Sequence, residues 1–235
     1  MLKNTCYRCG ALGTTREHFP PKSFFPRGGG LNLKTVRSCE LHNNAKSGDD
    51  QYVLAHICMT AARGNNLAKE IFLRSIAPQI KNYPRFRSLL ADDARPLERG
   101  AVAYSVDMER FDAFFTALSC AVLFDRFGEV VDEERFQITH LYPNLHSDDE
   151  NEMEETRRYR SMFKEFFEEH ESLMRHFEAD KIDDVIYANS VAAPWGLKTS
   201  VTIVHVFYGV FEIISRFTNK PFNRAVLKRL EGLTG

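Results

Sequence analysis

The feature that most constrains this chain is a pair of short motifs near its start, Cys6-Tyr-Arg-Cys9 and Cys39-Glu-Leu-His42. A C-x-x-C turn brings two thiolates onto one ion without straining the backbone, and a second pair closes the far side. Three sulfurs and one imidazole suit tetrahedral zinc and leave no open position for water, so the expected role is structural. A segment of about fifty residues has too small a core to hold itself, and the metal would supply folding energy. The other reading is that Cys39 and His42 are unrelated to the first pair. Five cysteines, Cys6, Cys9, Cys39, Cys58 and Cys120, are an odd count. The opening MLKNTCYRCG has no apolar signal core, and no run nears the ~18 apolar residues of a membrane span. Both points argue against a disulfide framework and for a cytoplasmic protein with no membrane partner. Cys58 and Cys120 fall on predicted helix faces and read as packing groups.

Patterning divides the 235 residues in two: a small module over 1–62 and a larger remainder over 63–235. In the first part, turn residues surround two short β-tolerant stretches, TTREHF and LNLKTVRSC, with Pro20 and Pro21 ending the first. GDDQYVLAHICMTAARG then places Tyr52, Ala55, His56, Met59 and Ala62 at helical spacing, with Asp49 and Asp50 in the first turn. The order is hairpin, strand, helix. The remainder reads as mixed α/β. NLAKEIFLRSIAPQI is helical with a break near Pro78, and AVAYSV is a strand. DMERFDAFFTALSCAVLFDRFG is a helix with Phe111, Phe114, Phe115, Leu118 and Val122 on one stripe and Gly128 as its stop. FQITHLY is a strand. Residues 151–178 form one long helix with Tyr159, Met162, Phe163, Phe166 and Phe167 inward. DVIYANSVAA and TSVTIVHVFYGVFEIISRF are strands, and a last helix spans 222–230. The acidic run at 147–155 lacks the glycine and spaced oxygens of a calcium loop and reads as a helix start. The expected class is α+β, with amphipathic helices and a small antiparallel sheet after the metal-bound module.

Net charge is -1 over the chain, but residues 1–50 carry eight Lys or Arg against four Asp or Glu. The basic excess sits where the cysteines sit, and a local basic patch is what phosphate binding needs. Between the two motifs stand Glu17 and His18, and Asn43 follows His42 directly. A carboxylate and an amide suit a hard cation such as magnesium, and His18 is a base with an ordinary pKa of about 6.5. On these residues alone two readings stand: a single-ion hydrolytic site, or a polar pair that solvates a hairpin. Neighbours on a strand point to opposite faces unless the strand bends.

The ordered set of C-x-x-C, Glu17-His18 with Pro20-Pro21, LKTVRSCxxHN at 33–43 and AKSGDD at 45–50 resembles the HNH nuclease family, whose fold is the ββα-metal motif. The resemblance covers residues 4–56. It implies that Cys6, Cys9, Cys39 and His42 hold a structural Zn2+. It also implies that Glu17 and Asn43 hold a catalytic Mg2+ or other divalent ion, with His18 as the general base. Arg16, Lys22, Arg37 and Lys46 are candidates for phosphate contacts on charge and position. The implied reaction is phosphodiester hydrolysis in nucleic acid, double-stranded DNA foremost, leaving 5′-phosphate and 3′-hydroxyl ends. Asn32 stands about two residues early for the family's middle Asn. Lys34 or Thr35 takes that register, a backbone carbonyl orients His18, or Asn32 reaches it through a bulge of the Gly28–Gly30 loop. Ser47 stands where some members carry a third metal-binding His, which implies a sparse ion site finished by water and substrate. Asp49 and Asp50 read as helix N-terminal carboxylates or as outer contacts of that ion.

The remaining residues match no motif. His56, His140, His146, His170, His176 and His205 read as surface or hydrogen-bonded core groups, and Trp195 as a loop anchor, with stacking on a base as the alternative. Relatives of similar layout serve in bacterial restriction or anti-phage systems. The larger part is therefore expected to recognise a target, dimerise or dock a regulatory protein. The alternatives to a nuclease are a non-catalytic zinc module that binds nucleic acid or protein, and a ligand-regulated effector.

Overall fold

The structure, a computed structural model, describes residues 4–26, 33–44, 47–97, 102–169, 177–183 and 186–224. It is a mixed α+β chain with small antiparallel sheets. Strands β1 (Thr15–His18) and β2 (Thr35–Ser38) pair antiparallel, with Arg16 opposite Arg37, Glu17 opposite Val36 and His18 opposite Thr35. Helix α1 (Glu40–Asn44) follows β2 at once, and α2 (Ser47–Ala61) follows α1. The hairpin, strand and helix order expected of the first part is therefore present.

Helix α3 (Asn66–Ile71) is capped by Asn65, whose Oδ1 accepts from the Ala68 N–H at 2.9 Å. The expected break at Pro78 is absent. A single π turn, Phe72–Ile76, joins α3 to α4 (Ala77–Asn82), and this local change of hydrogen-bond register stands directly before Pro78, which has no N–H to give to the preceding turn. The break comes at extended Tyr83, before α5 (Pro84–Ala91). AVAYSV supplies only the two residues of β4 (Val102–Ala103), paired with β3 (Arg95–Pro96), so most of that expected strand is irregular.

Helix α6 (Met108–Phe127) begins at an Asp107 side-chain cap and stops at Gly128, whose φ of 67° closes the last turn. The expected stripe Phe111, Phe114, Phe115, Leu118 and Val122 is buried. So are Ala117, Ser119, Cys120, Ala121 and Leu123, because α6 is covered on more than one side. One side faces a five-stranded antiparallel sheet of order β5-β9-β8-β7-β6. Its strands are β5 (Phe136–Leu141), β6 (Phe177–Asp183), β7 (Tyr187–Ala192), β8 (Val201–Phe207) and β9 (Phe211–Asn219). On the other side lie α2 and the N-terminal segment. Phe24 stacks on Phe114 at 5.6 Å and meets Phe207 at 5.3 Å, while the Tyr208 hydroxyl donates to the Phe24 carbonyl at 2.8 Å. One continuous apolar cluster therefore joins Tyr7, Phe19 and Phe24 to the sheet.

Helix α7 spans Glu150–Glu169, and 177–178 belong to β6 rather than to a helix. Main-chain pairing with β7 at the sheet edge overrides a sequence that reads as helical. Of the inward stripe expected on α7, Tyr159 is half-buried. Met162 is 47% exposed, and the side chains of Phe163, Phe166 and Phe167 lie outside the described residues. The helix attaches to β9 through Arg160–Glu212 and Arg216–Glu155, both at 2.8 Å, and through Arg216 over the Tyr159 ring. Trp195 is 67% exposed, so its ring anchors no loop. The terminal helix is seen over 220–224; its remainder, with His170 and His176, lies outside the described residues.

Two core histidines are fully paired. His205 sits on the inward face of β8, between the Tyr187 hydroxyl at 2.8 Å and Ser119 Oγ at 2.9 Å. His140 bridges Thr116 and Ser215, each at 2.9 Å. His56 is buried among Tyr52, Tyr104 and Phe111, with neither ring nitrogen hydrogen-bonded. Burial lowers His56 and His140 to about 4; burial, then the charge of His140, lowers His205 to about 3. In the unfolded chain each titrates near 6.5. Above that pH neither state binds these protons and stability is insensitive to them. As pH falls below ~6.5, the unfolded chain takes protons that the folded chain refuses. Stability should drop by about 1.4 kcal/mol per pH unit for each histidine until pH nears 4. Urea titrations at pH 7, 6 and 5 check this, and a midpoint that stays constant would contradict it.

Candidate metal centre and catalytic face

Cys6 and Cys9 lie in a tight knuckle closed by the Cys6 N–H on the Ala11 carbonyl at 2.7 Å and by a bridge between Thr5 and Leu12. The Tyr7 N–H donates to the Arg37 carbonyl at 2.9 Å and lays the knuckle against β2. Gly13 permits that approach, since a Cβ there would lie 2.8 Å from Arg37 Cβ and 3.2 Å from the Cys6 nitrogen. Gly13→Ala is accordingly expected to cost about 1–3 kcal/mol of stability, seen as a lowered thermal midpoint. An unchanged midpoint would mean that the knuckle shifts freely.

Cys39 stands just before α1, and the Asn43 N–H donates to its carbonyl at 3.0 Å, so the first helical turn carries His42 back over Cys39. The donor atoms of Cys6, Cys9, Cys39 and His42 all lie within 4.8 Å of one another. His42 Nδ1 is 3.2 Å from Cys39 Sγ and 3.7 Å from Cys6 Sγ, and Cys9 Sγ is 3.9 Å from Cys39 Sγ. A tetrahedral zinc with bonds of about 2.3 Å to sulfur and 2.0 Å to nitrogen places its donors about 3.5–3.8 Å apart. The cluster fits that ion in donor chemistry and in span. Burial raises the Cys6 thiol, but N–H groups of Cys9, Arg8 and Cys39, together with His42, outweigh it and bring it to about 6. Thiolate character is thus favoured before any metal binds. At Cys9 the Ala11 N–H lowers the thiol, but burial and the neighbouring Cys6 and Cys39 sulfurs leave it raised. Arg8 ties the knuckle to Glu133 at 2.6 Å.

The hairpin has two distinct faces. Strand alternation puts Arg16 and His18 on one face with their cross-strand partners Arg37 and Thr35. Glu17 lies on the other face with buried Val36, where its Oε1 accepts from the Tyr7 hydroxyl at 3.2 Å. Burial, then the Glu17 charge, pushes the Tyr7 phenol up, so it remains a donor. Nothing in the sequence pattern flagged Tyr7; its only signal was an aromatic residue between two ligand cysteines. His18 is half-buried, and burial, then the charge of Lys22, lowers it below its usual value. Lys22 opens a short 3-10 turn, Lys22–Phe24. Arg16 reaches Thr35 Oγ1 at 3.5 Å.

Of the candidates to orient His18, Thr35 stands directly opposite it, whereas Lys34 is drawn to Asp125 at 3.4 Å. Asn32 and Lys46 lie outside the described residues. Asn43 sits one residue beyond His42 on α1. Asp49 pairs with Arg110 of α6, which gives it a packing role at the start of α2.

The chain matches no protein-family model, no curated protein and no solved structure. Its chemistry therefore has to be read from the site. Among the described residues, the Cys6, Cys9, Cys39 and His42 group is the one cluster of cysteine, histidine and carboxylate donors able to hold a metal. Among them, too, no helix is long and apolar enough to cross a membrane.

Proposed function

We propose that this chain is a zinc-braced HNH-type endonuclease that hydrolyses phosphodiester bonds in nucleic acid, DNA foremost. The observation that carries the reading is the hairpin between the two halves of the metal cluster, whose one face combines His18 with Arg16 and Arg37. A base with a lowered pKa, flanked by fixed positive charge, is what attack on a phosphodiester needs. His18 takes the proton of a water molecule on a ring nitrogen as the water oxygen bonds to phosphorus. The bond from phosphorus to the 3′ oxygen breaks, and the leaving oxygen is protonated from solvent. Arg16 and Arg37 hold the non-bridging oxygens. Glu17 and Asn43 are the residues that would hold a divalent cation, which would supply neutralising charge, but Glu17 faces away from His18 toward Tyr7, so no step is routed through that ion. Thr35, facing His18 across the hairpin, orients the ring. Nicking of supercoiled plasmid in the presence of magnesium tests the reading, and loss of nicking in His18→Ala with metal content unchanged supports it. Equal nicking by both proteins would sink it.

A second reading, in which the nuclease is the output of a ligand-regulated effector, draws on an open groove of about 680 Å³ lined by no residue of the hairpin. It lies between α2, the β3–β4 ribbon and α7, with Arg95, Tyr104, Tyr142, Glu152 and Thr156 among its walls. On this reading nicking stays silent until the groove is filled.

A further inference from the structure

Charge in the chain is segregated beyond the basic start. Residues 63–91 carry six Lys or Arg and a single carboxylate, Glu70, whereas residues 92–235 carry 17 Lys or Arg against 27 Asp or Glu. The basic stretch is the α3–α5 region, and all six cations, Arg63, Lys69, Arg74, Lys81, Arg85 and Arg87, are exposed. Several cations elsewhere pair with acids: Arg8 with Glu133, Arg110 with Asp49, Arg160 with Glu212 and Arg216 with Glu155. Arg74 is likewise paired with Glu70. Among the described residues no carboxylate pairs with Lys81, Arg85 or Arg87. Phe86 packs against the core and Leu90 is 2% exposed, so α5 is anchored by its inner stripe while Arg85 and Arg87 flank it in solvent. Between them and Lys81 stands Tyr83, 62% exposed.

The fold decides where this charge lies. Helix α2 leaves the metal centre and runs for 15 residues, about 22 Å. The α3–π–α4 rod then turns back along it, and Gln79 of α4 donates to Gln51 in the second turn of α2 at 3.2 Å. Lys81 and α5 are thereby returned to the end of α2 that adjoins α1, His42 and Asn43. Asn44 and Ser47 are three residues apart, a span of at most about 11 Å. Lys34, beside Thr35, pairs with Asp125 near the C-terminal end of α6, whereas Asp49 at the start of α2 pairs with Arg110 near its N-terminal end, so 15 residues of helix, about 22 Å, lie between the anchors of the hairpin face and of the α4–α5 corner.

We propose that Lys81, Arg85 and Arg87 form a second phosphate-contacting surface, which grips the backbone of a nucleic-acid duplex at a distance from the bond presented to His18. This rests on the endonuclease reading and names how its substrate is held. Such contacts carry no base information, so the grip is sequence-independent and strongly salt-dependent. Anisotropy titrations of a fluorescent 20-base-pair DNA duplex of mixed sequence, on the full chain with His18→Ala to block cleavage, test it. Adding Lys81→Gln, Arg85→Gln and Arg87→Gln is expected to weaken binding at least about tenfold at 100 mM salt. The slope of log affinity against log salt should become shallower by about three. Because the three side chains are exposed, the thermal midpoint should hold. Should the triple variant fold poorly, Arg85→Gln and Arg87→Gln singly should each flatten the slope by about one. Arg157→Gln with Arg158→Gln, on acidic α7, is the control and should leave the slope unchanged.

An unaltered slope in the triple variant, or no binding by the parent protein, overturns the proposal. Plasmid nicking by the wild type separates the two claims. Nicking with an unaltered slope removes only the α4–α5 grip, whereas absence of nicking removes the catalytic reading.

Discussion

The wild-type protein is expected to bind one zinc ion per chain, and Cys39→Ser to lose both the metal and the fold of residues 4–44. The donors Cys6, Cys9, Cys39 and His42 converge to within 4.8 Å, and the rest of that segment is one four-pair hairpin and a five-residue helix. Two strands and one helical turn are not stable alone in water. Structural zinc contributes an apparent 10–16 kcal/mol to peptides of this kind, so removing one of four ligands withdraws most of what holds the knuckle. The apolar contacts of Phe24 with Phe114 and Phe207 keep the downstream end attached, so the loss should be local. Metal analysis and limited trypsin digestion read it out. Cleavage at Arg8, Arg16 and Arg37 should appear in Cys39→Ser, or in wild type treated with a strong chelator, while the sheet stays protected. A protease-resistant, metal-free wild type would show that the four side chains merely pack together.

The second large effect concerns His18. Its replacement by Ala is expected to lower the nicking rate by about 10²–10⁴, the usual worth of a positioned general base. Zinc content and thermal midpoint should stay at wild-type levels, because the ring lies on the polar face of the hairpin rather than in the core. Burial and Lys22 keep the imidazole below its ordinary pKa, so it is neutral and able to accept a proton at pH 7. The rate should therefore be flat above pH ~6.5 and fall as acid protonates the base. A rate that rises through pH 8 or 9, or a mutant as fast as wild type, would assign the proton transfer elsewhere.

The role of Glu17 turns on a contact that strand alternation anticipates only in part. Adjacent residues on β1 face opposite ways, so Glu17 goes inward with Val36, while His18 shares its face with Arg16 and Arg37. The inward acid then meets Tyr7, whose phenol donates to it. Tyr7, which lies between the two cysteines of the knuckle, is thus the hydrogen-bond donor to Glu17.

What the amino-acid order determined by itself was local chemistry. The two Cys/His pairs, the alternation in TREH and TVRS, the stripe of α6 and its Gly128 stop each follow from side-chain type and spacing over a few residues, where backbone geometry leaves few choices. Tertiary structure alone decided which distant groups meet. The pairing of β5 with β9, the return of α4 to the start of α2, the ion pairs that hold α7 and the β6 edge strand all depend on partners far away in sequence. Periodicity says which face of an element is apolar, but it does not say which other face will cover it; that choice is made by the burial of the whole core at once.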